Sequence, residues 1–183
     1  MSNIAAALNQ TNDKTSYHDI ARTHFSIWGA LAFDPTNTHT KLTYNSSAIS
    51  HNILYNIFPA LLLDLDVIPA KIYTKLSAFY PSKATPYGVP LDERYEWTKS
   101  DWEMWAATSA EPSTRGLFVK ALAKRINETS TYMALTDHYM TTGTGGYTHY
   151  AFIARPVVGG HFAMLAMQKM GRMGALRDMW GGR

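Results

Sequence analysis

Apolar residues recur at helical spacing along most of this chain. Between 16 and 33, Ile20, Ile27 and Leu31 line one stripe, and Phe25, Trp28 and Ala32 an adjacent one. An apolar face that broad predicts a helix buried on more than one side. Asp34-Pro35 ends it, because the residue before a proline avoids helical backbone. Ile53, Ile57, Ala60, Leu61 and Leu65 hold the same spacing and predict a second helix over 48–66. Pro59 inside it removes a backbone bond and clashes with the preceding turn, at about 3 kcal/mol, so a kink or break is expected near 55–58. Pro69 opens a third helix, with Ile72, Leu76 and Phe79 as its stripe and Pro81 as its stop. A fourth starts within 98–107. The fifth starts at Pro112, with Phe118, Ala121, Leu122 and Ile126 as its buried face. The sixth covers 156–170 and carries Gly159-Gly160 near its start. Glycines there cost roughly 1 kcal/mol each against alanine, which implies close approach of another helix or a ligand. Six helices with alternating short and long connections make about three helical hairpins, an all-α fold. Residues 1–15 read as a loose lead-in, 16–170 as the helical domain and 171–183 as a tail.

Composition narrows the picture. A chain of 183 residues, 46% hydrophobic and 17% charged, suits one globular domain and can bury a sizeable core. The net charge of +3 is mild and there is no run of lysine or arginine, so neither nucleic acid nor a membrane surface is an expected partner. Arg172, Arg177 and Arg183 read as a solvated tail. With no cysteine, disulfides and thiolate chemistry are excluded. No stretch reaches the length of a membrane-spanning helix. The first ten residues lack the basic and apolar regions of a signal peptide. Sequons stand at Asn9, Asn45 and Asn127. Neither a metal-ligand spacing nor a phosphate-binding loop nor a nucleophile elbow is present, so no metal and no cofactor is expected.

The chemistry concentrates in 98–107, TKSDWEMWAA. Ser100 fits a helix N-cap, and Glu103 falls where a capping box wants a carboxylate. Trp102, Trp105, Ala106 and Ser109 follow one helical face. Asp101 and Glu103 are roughly 200° apart around the helix, so only one can face a given pocket. Asp101, at a helix start beside aromatic rings, is a candidate catalytic carboxylate; it would equally complement the helix dipole. Glu103 is a second candidate, weighed against its capping role. Asp137 lies in a long loop, 130–150, and serves either chemistry or an Asx turn. Arg155, before Pro156, can hold a substrate carboxylate bidentately or form a structural pair with Asp137 or Asp92. His161 follows the glycine pair as a site residue or a core histidine. Asp101, Asp137 and Arg155 are expected to approach one concave surface.

This stretch, with YGVPLDER at 87–94, INET at 126–129 and ARPVVGGHFA at 154–163, resembles the C-terminal part of the fungal glutaminase A family. The resemblance runs from about residue 23 to 168. It implies a partial (α/α)6 six-hairpin toroid and hydrolysis of the side-chain amide of glutamine, a small-molecule substrate. It also implies Asp101, Glu103 and Asp137 as catalytic residues, with Arg155, His161 and Trp102 toward the substrate. The family is secreted; this chain carries no recognisable export signal. Departures include PALLL at 59–63 and TDHYMT at 136–141, where the family's second acidic position is Met140. Two other readings stand beside this one: a catalytically silent helical fragment, and a carbohydrate-active six-hairpin protein. Half a toroid would leave apolar helix faces uncovered, so self-association is expected.

Overall fold

The computed structural model describes residues 1–149 and 152–172. Among the described residues the chain is all-α apart from one two-stranded ribbon. Helix α1 (Ser2–Ala7) packs on α2 (Thr11–Ala32). A 3-10 turn, Tyr55–Ile57, leads into the short α3 (Phe58–Leu62). Helix α4 (Ala70–Phe79) continues into a second 3-10 turn, Tyr80–Lys83. Strand β1 (Trp97–Lys99) runs directly into α5 (Ser100–Thr108), which packs against α6 (Pro112–Glu128). Strand β2 (His138–Met140) pairs with β1. A 3-10 stretch, Pro156–Phe162, leads into α7 (Ala163–Lys169).

The core gathers Ile72, Tyr73 and Leu76 of α4, Met104 and Ala107 of α5, Phe118 and Leu122 of α6, and Tyr139 of β2. A smaller cluster sets Phe58 of α3 against Met167 of α7, with Trp105 of α5 packed on it. Helix α5 is therefore enclosed on several sides, which is why almost every residue of it is buried.

Several expectations are corrected. Residues 1–15 are mostly helical, not a loose lead-in. The helix expected over 48–66 shrinks to 58–62, and Pro59 sits in its first turn, where the missing N–H costs nothing. Residues before it bind elsewhere: Ile53 N–H donates to Leu91 C=O (2.9 Å) and Leu54 N–H to the Tyr80 hydroxyl (3.1 Å). Ile126 is exposed while Phe118, Ala121 and Leu122 are buried. On α2, Phe25 and Trp28 pack on the core, but Ile20, Ile27 and Leu31 face out, each about half exposed. Arg172 ion-pairs with Asp64 at 2.7 Å instead of standing free in a tail. Arg177 and Arg183 lie outside the described residues.

The glycine pair divides sharply. A Cβ on Gly160 would fall 2.8 Å from Asp101 Cβ and 3.1 Å from Asp101 Cα; one on Gly159 would meet nothing within 4 Å. Gly160 is where the 3-10 stretch closes on the start of α5. We expect Gly160→Ala to destabilise the fold by about 1–3 kcal/mol through overpacking. Gly159→Ala should stay within about 0.5 kcal/mol of the parent. Urea denaturation of the two variants checks this; equal losses would contradict the close approach.

Candidate functional site

The ribbon builds the site. Its register pairs Lys99 with His138, and Ser100 N–H extends the pairing by donating to Asp137 C=O at 2.8 Å. That fixes Asp137 beside the first turn of α5. The chain then returns: Ala154 N–H donates to Leu135 C=O (2.9 Å), and Thr136 bridges to Ile153. Ala154 turns with φ +50°, a left-handed value uncommon for a residue with a side chain. The next residue, Arg155, then reaches Asp137.

Four charged side chains meet there. Lys99 Nζ lies 2.9 and 3.0 Å from the two oxygens of Asp101 and 3.4 Å from Asp137 Oδ2. Arg155 holds Asp137 bidentately, Nε to Oδ1 at 2.9 Å and Nη2 to Oδ2. Lys99, Asp101 and Asp137 are buried; Arg155 is partly exposed and lies over the Phe152 ring at 4.0 Å. Burial pushes the Asp137 carboxyl up, but the Arg155 and Lys99 partners more than offset it and hold it below the ordinary carboxylate value. Two cations against two anions leave the cluster neutral, which is how four charges tolerate a site this dry.

Aromatic rings floor it. Trp102 stacks on Tyr55 with centroids 3.7 Å apart and lies under Lys99 Nζ at 4.7 Å. Burial, and then the Asp101 charge, raise the Tyr55 hydroxyl. His161 Nε2 is buried without a hydrogen-bond partner among the described residues. Burial lowers the His161 pKa against the pull of Asp101 and Asp137, so its imidazole is neutral at pH 7. Burial also takes His138 down to about 4, with Asp137 opposing.

Asp101, Asp137, Arg155, His161 and Trp102 thus belong to one neighbourhood. Glu103 does not join it. The capping box is absent: Lys99 occupies the N-cap position, with no side-chain cap bond. Instead Glu103 Oε1 accepts from Val89 N–H (2.6 Å) and Oε2 from the Tyr139 hydroxyl (2.7 Å). Gly88 is needed there, since a Cβ on it would fall 2.2 Å from Glu103 Oε1. Burial pushes the Glu103 carboxyl up to about 8, although its hydrogen bonds pull the other way. The Asx-turn alternative for Asp137 is replaced by its Arg155 pair, and the same pair occupies the guanidinium expected to meet a substrate carboxylate. Lys99 and Tyr55 were missed. Lys99 stands inside the motif stretch, but nothing in a linear pattern says that its amine turns back onto Asp101.

A wide cleft lies elsewhere. It holds about 1030 Å³ between α2 and α4, lined by Arg22, Phe25, Phe33, Lys71, Ile72 and Lys75 among others. None of the cluster residues lines it.

Fold and site define an all-α helical-hairpin protein with a buried carboxylate cluster at the mouth of one helix. A family profile described as the glutaminase A six helical-hairpin domain matches residues 1–165, and the chain belongs to that family. It is 40% identical over 170 residues to glutaminase A of Aspergillus oryzae, covering 91% of this chain and 24% of that protein. It is 36% identical over 196 residues to a probable glutaminase of Arthroderma benhamiae, covering 92% and 23%. The chain therefore spans about a quarter of the length of these fungal relatives. No solved structure matches it.

Proposed function

We propose that this chain carries part of the amide-hydrolysing surface of a glutaminase-type hydrolase, which cleaves the side-chain amide of glutamine to glutamate and ammonia. The substrate rests on the relatives' names. The observation that carries the site is the convergence of Asp101 and Asp137 at the start of α5. In this reading Asp101 accepts a proton from the attacking water and passes it to the departing nitrogen as the C–N bond breaks. Asp137, held by Arg155, keeps its charge and fixes the surroundings. Trp102 and His161 line the substrate side.

A second reading concerns the chain by itself. Asp101 is 2% exposed, and the cleft between α2 and α4 lies away from it. That favours a chain which is silent alone and needs further walls to form a pocket. A chimera tests the hydrolase reading, and 1–183 alone tests the second: in the chimera, residues 1–165 replace the matching region of the Aspergillus oryzae protein. Ammonia release from glutamine by the chimera supports the first reading. Asp101→Asn in that chimera should lower kcat by about 10²–10⁴, with near-UV circular dichroism unchanged. A folded chimera without turnover would remove the hydrolase reading for this chain.

A further inference from the structure

The Ser100–Asp137 backbone bond sets Asp101 and Asp137 side by side, but the gap between their carboxylates depends on what the side chains meet. One side chain among the described residues touches both, and it is Lys99. Its backbone is the last residue of β1 and the N-cap of α5, so it is rigid at the root. Its ammonium is held from below by the Trp102 ring, itself stacked on Tyr55. An ammonium offers three N–H donors on a compact charge, which suits a bridge between two carboxylates better than a planar guanidinium does.

We propose that Lys99 is the positioning residue of this site, spanning Asp101 and Asp137 and setting the distance between them. The proposal rests on the reading of the cluster as an amide-hydrolysing site, and goes beyond it in assigning Lys99. Two buried carboxylates with no cation between them repel and share a proton, as one coupled pair. With Lys99 in place each carboxylate keeps its own partner: Asp101 stays with Lys99, and Asp137 stays with Arg155. Other groups that bear on the pair are Arg155, bidentate on Asp137 and felt by Asp101, with His138 from β2, His161 from the 3-10 stretch and the Tyr55 hydroxyl. Arg155 remains on Asp137 when Lys99 is replaced, so the cation lost is the one on Asp101.

The test is a carboxyl-carbon NMR titration of aspartate-labelled 1–183, parent against Lys99→Met and Lys99→Arg. In Lys99→Met, one of the two carboxyls should titrate about 1–3 pH units higher than in the parent. Lys99→Arg should keep the parent titration, because the charge remains. In the active chimera, Lys99→Met should lose at least about tenfold in kcat/KM at pH 5.5 and recover toward pH 8. Lys99→Arg should lose kcat at all pH values, because the bridge geometry changes. Unchanged carboxyl titrations in a folded Lys99→Met would overturn the proposal. If that variant does not fold, Lys99→Gln replaces it, with the same two outcomes. A shifted titration in a chimera that releases no ammonia keeps Lys99 as the bridge and rejects the hydrolase reading.

Discussion

Purified residues 1–183 will self-associate as concentration rises, and Ile20→Asp with Ile27→Asp will make the chain monomeric. Tyr17, Ile20, Ile27 and Leu31 stand outward on α2, between 39% and 52% exposed. With His24 between them they repeat at alternating steps of three and four, the spacing of a helix seam that seats a partner helix. Fully burying a large apolar side chain gains about 1.5–3 kcal/mol. These are half buried already, so the remaining gain is about 1 kcal/mol each, roughly 8 for two copies. Association costs about 4–15 kcal/mol, so even at the low end of that cost only a weak dimer follows, with a dissociation constant on the order of 10⁻³ M. The stripe is nonetheless the largest outward apolar feature of α2. Two aspartates would bring like charges into it and abolish the contact. Sedimentation velocity between about 20 and 500 μM checks this. A parent chain that stays monomeric throughout, or a double variant that still associates, would contradict it.

Stability will fall as pH rises from about 6.5 to 8, and Glu103→Gln will remove most of that fall. Glu103 is fully buried among Val89, Tyr139 and Gly88, with no cation paired to it among the described residues. Its carboxyl is raised from 4.5 to about 8, burial being the largest cause. Between those values the folded chain holds a proton that the unfolded chain has released. The stability from this group is complete below about pH 4.5 and is lost as pH climbs through about 8. The full swing is on the order of 3–5 kcal/mol, comparable with the stability of a small domain. His138 and His161 act in the opposite sense, since their lowered pKa values favour the fold above pH 6.5. The difference between parent and Gln variant isolates Glu103. Glutamine keeps an acceptor for the Val89 N–H and carries no charge at any pH. Glu103→Ala leaves the Val89 amide without its acceptor and opens a cavity, so it should cost about 3 kcal/mol or more at pH 5. Urea unfolding at pH 5, 6.5 and 8 gives the comparison. Parallel pH profiles for parent and Glu103→Gln would contradict the buried, unpaired carboxyl.

The long helices were readable because a 3.6-residue repeat survives in any helix with one buried face. Phe25 and Trp28 on α2, Ile72 and Leu76 on α4, and Phe118 and Leu122 on α6 carry it plainly. The helix expected over 48–66 failed for a reason outside the pattern. Ile53 and Leu54 give their N–H groups to Leu91 and Tyr80, far along the chain, and Pro59 is more comfortable in a first turn than inside a helix. The 3-10 stretch Pro156–Phe162 carries Gly160 onto Asp101, a contact no local pattern announces. The site was half legible. Separating Asp101 from Glu103 needed only helical geometry, and the structure turns them to different partners. Bringing Asp137 and Arg155 to Asp101 needed the β1–β2 ribbon. Three residues a side are too few to leave a period-two signature. The capping box misled because its sequence fits, while the Glu103 side chain is taken by Val89 and Tyr139 from outside the helix.

The claim that matters most is that the cluster at the start of α5 belongs to glutamine hydrolysis. Ammonia release from glutamine by the Aspergillus oryzae chimera carrying residues 1–165, with and without Asp101→Asn, tests it most directly. The account predicts turnover in the chimera, none in 1–183 alone, and a loss of about 10²–10⁴ in kcat with Asp101→Asn in a folded protein. Full turnover with Asp101→Asn would contradict it.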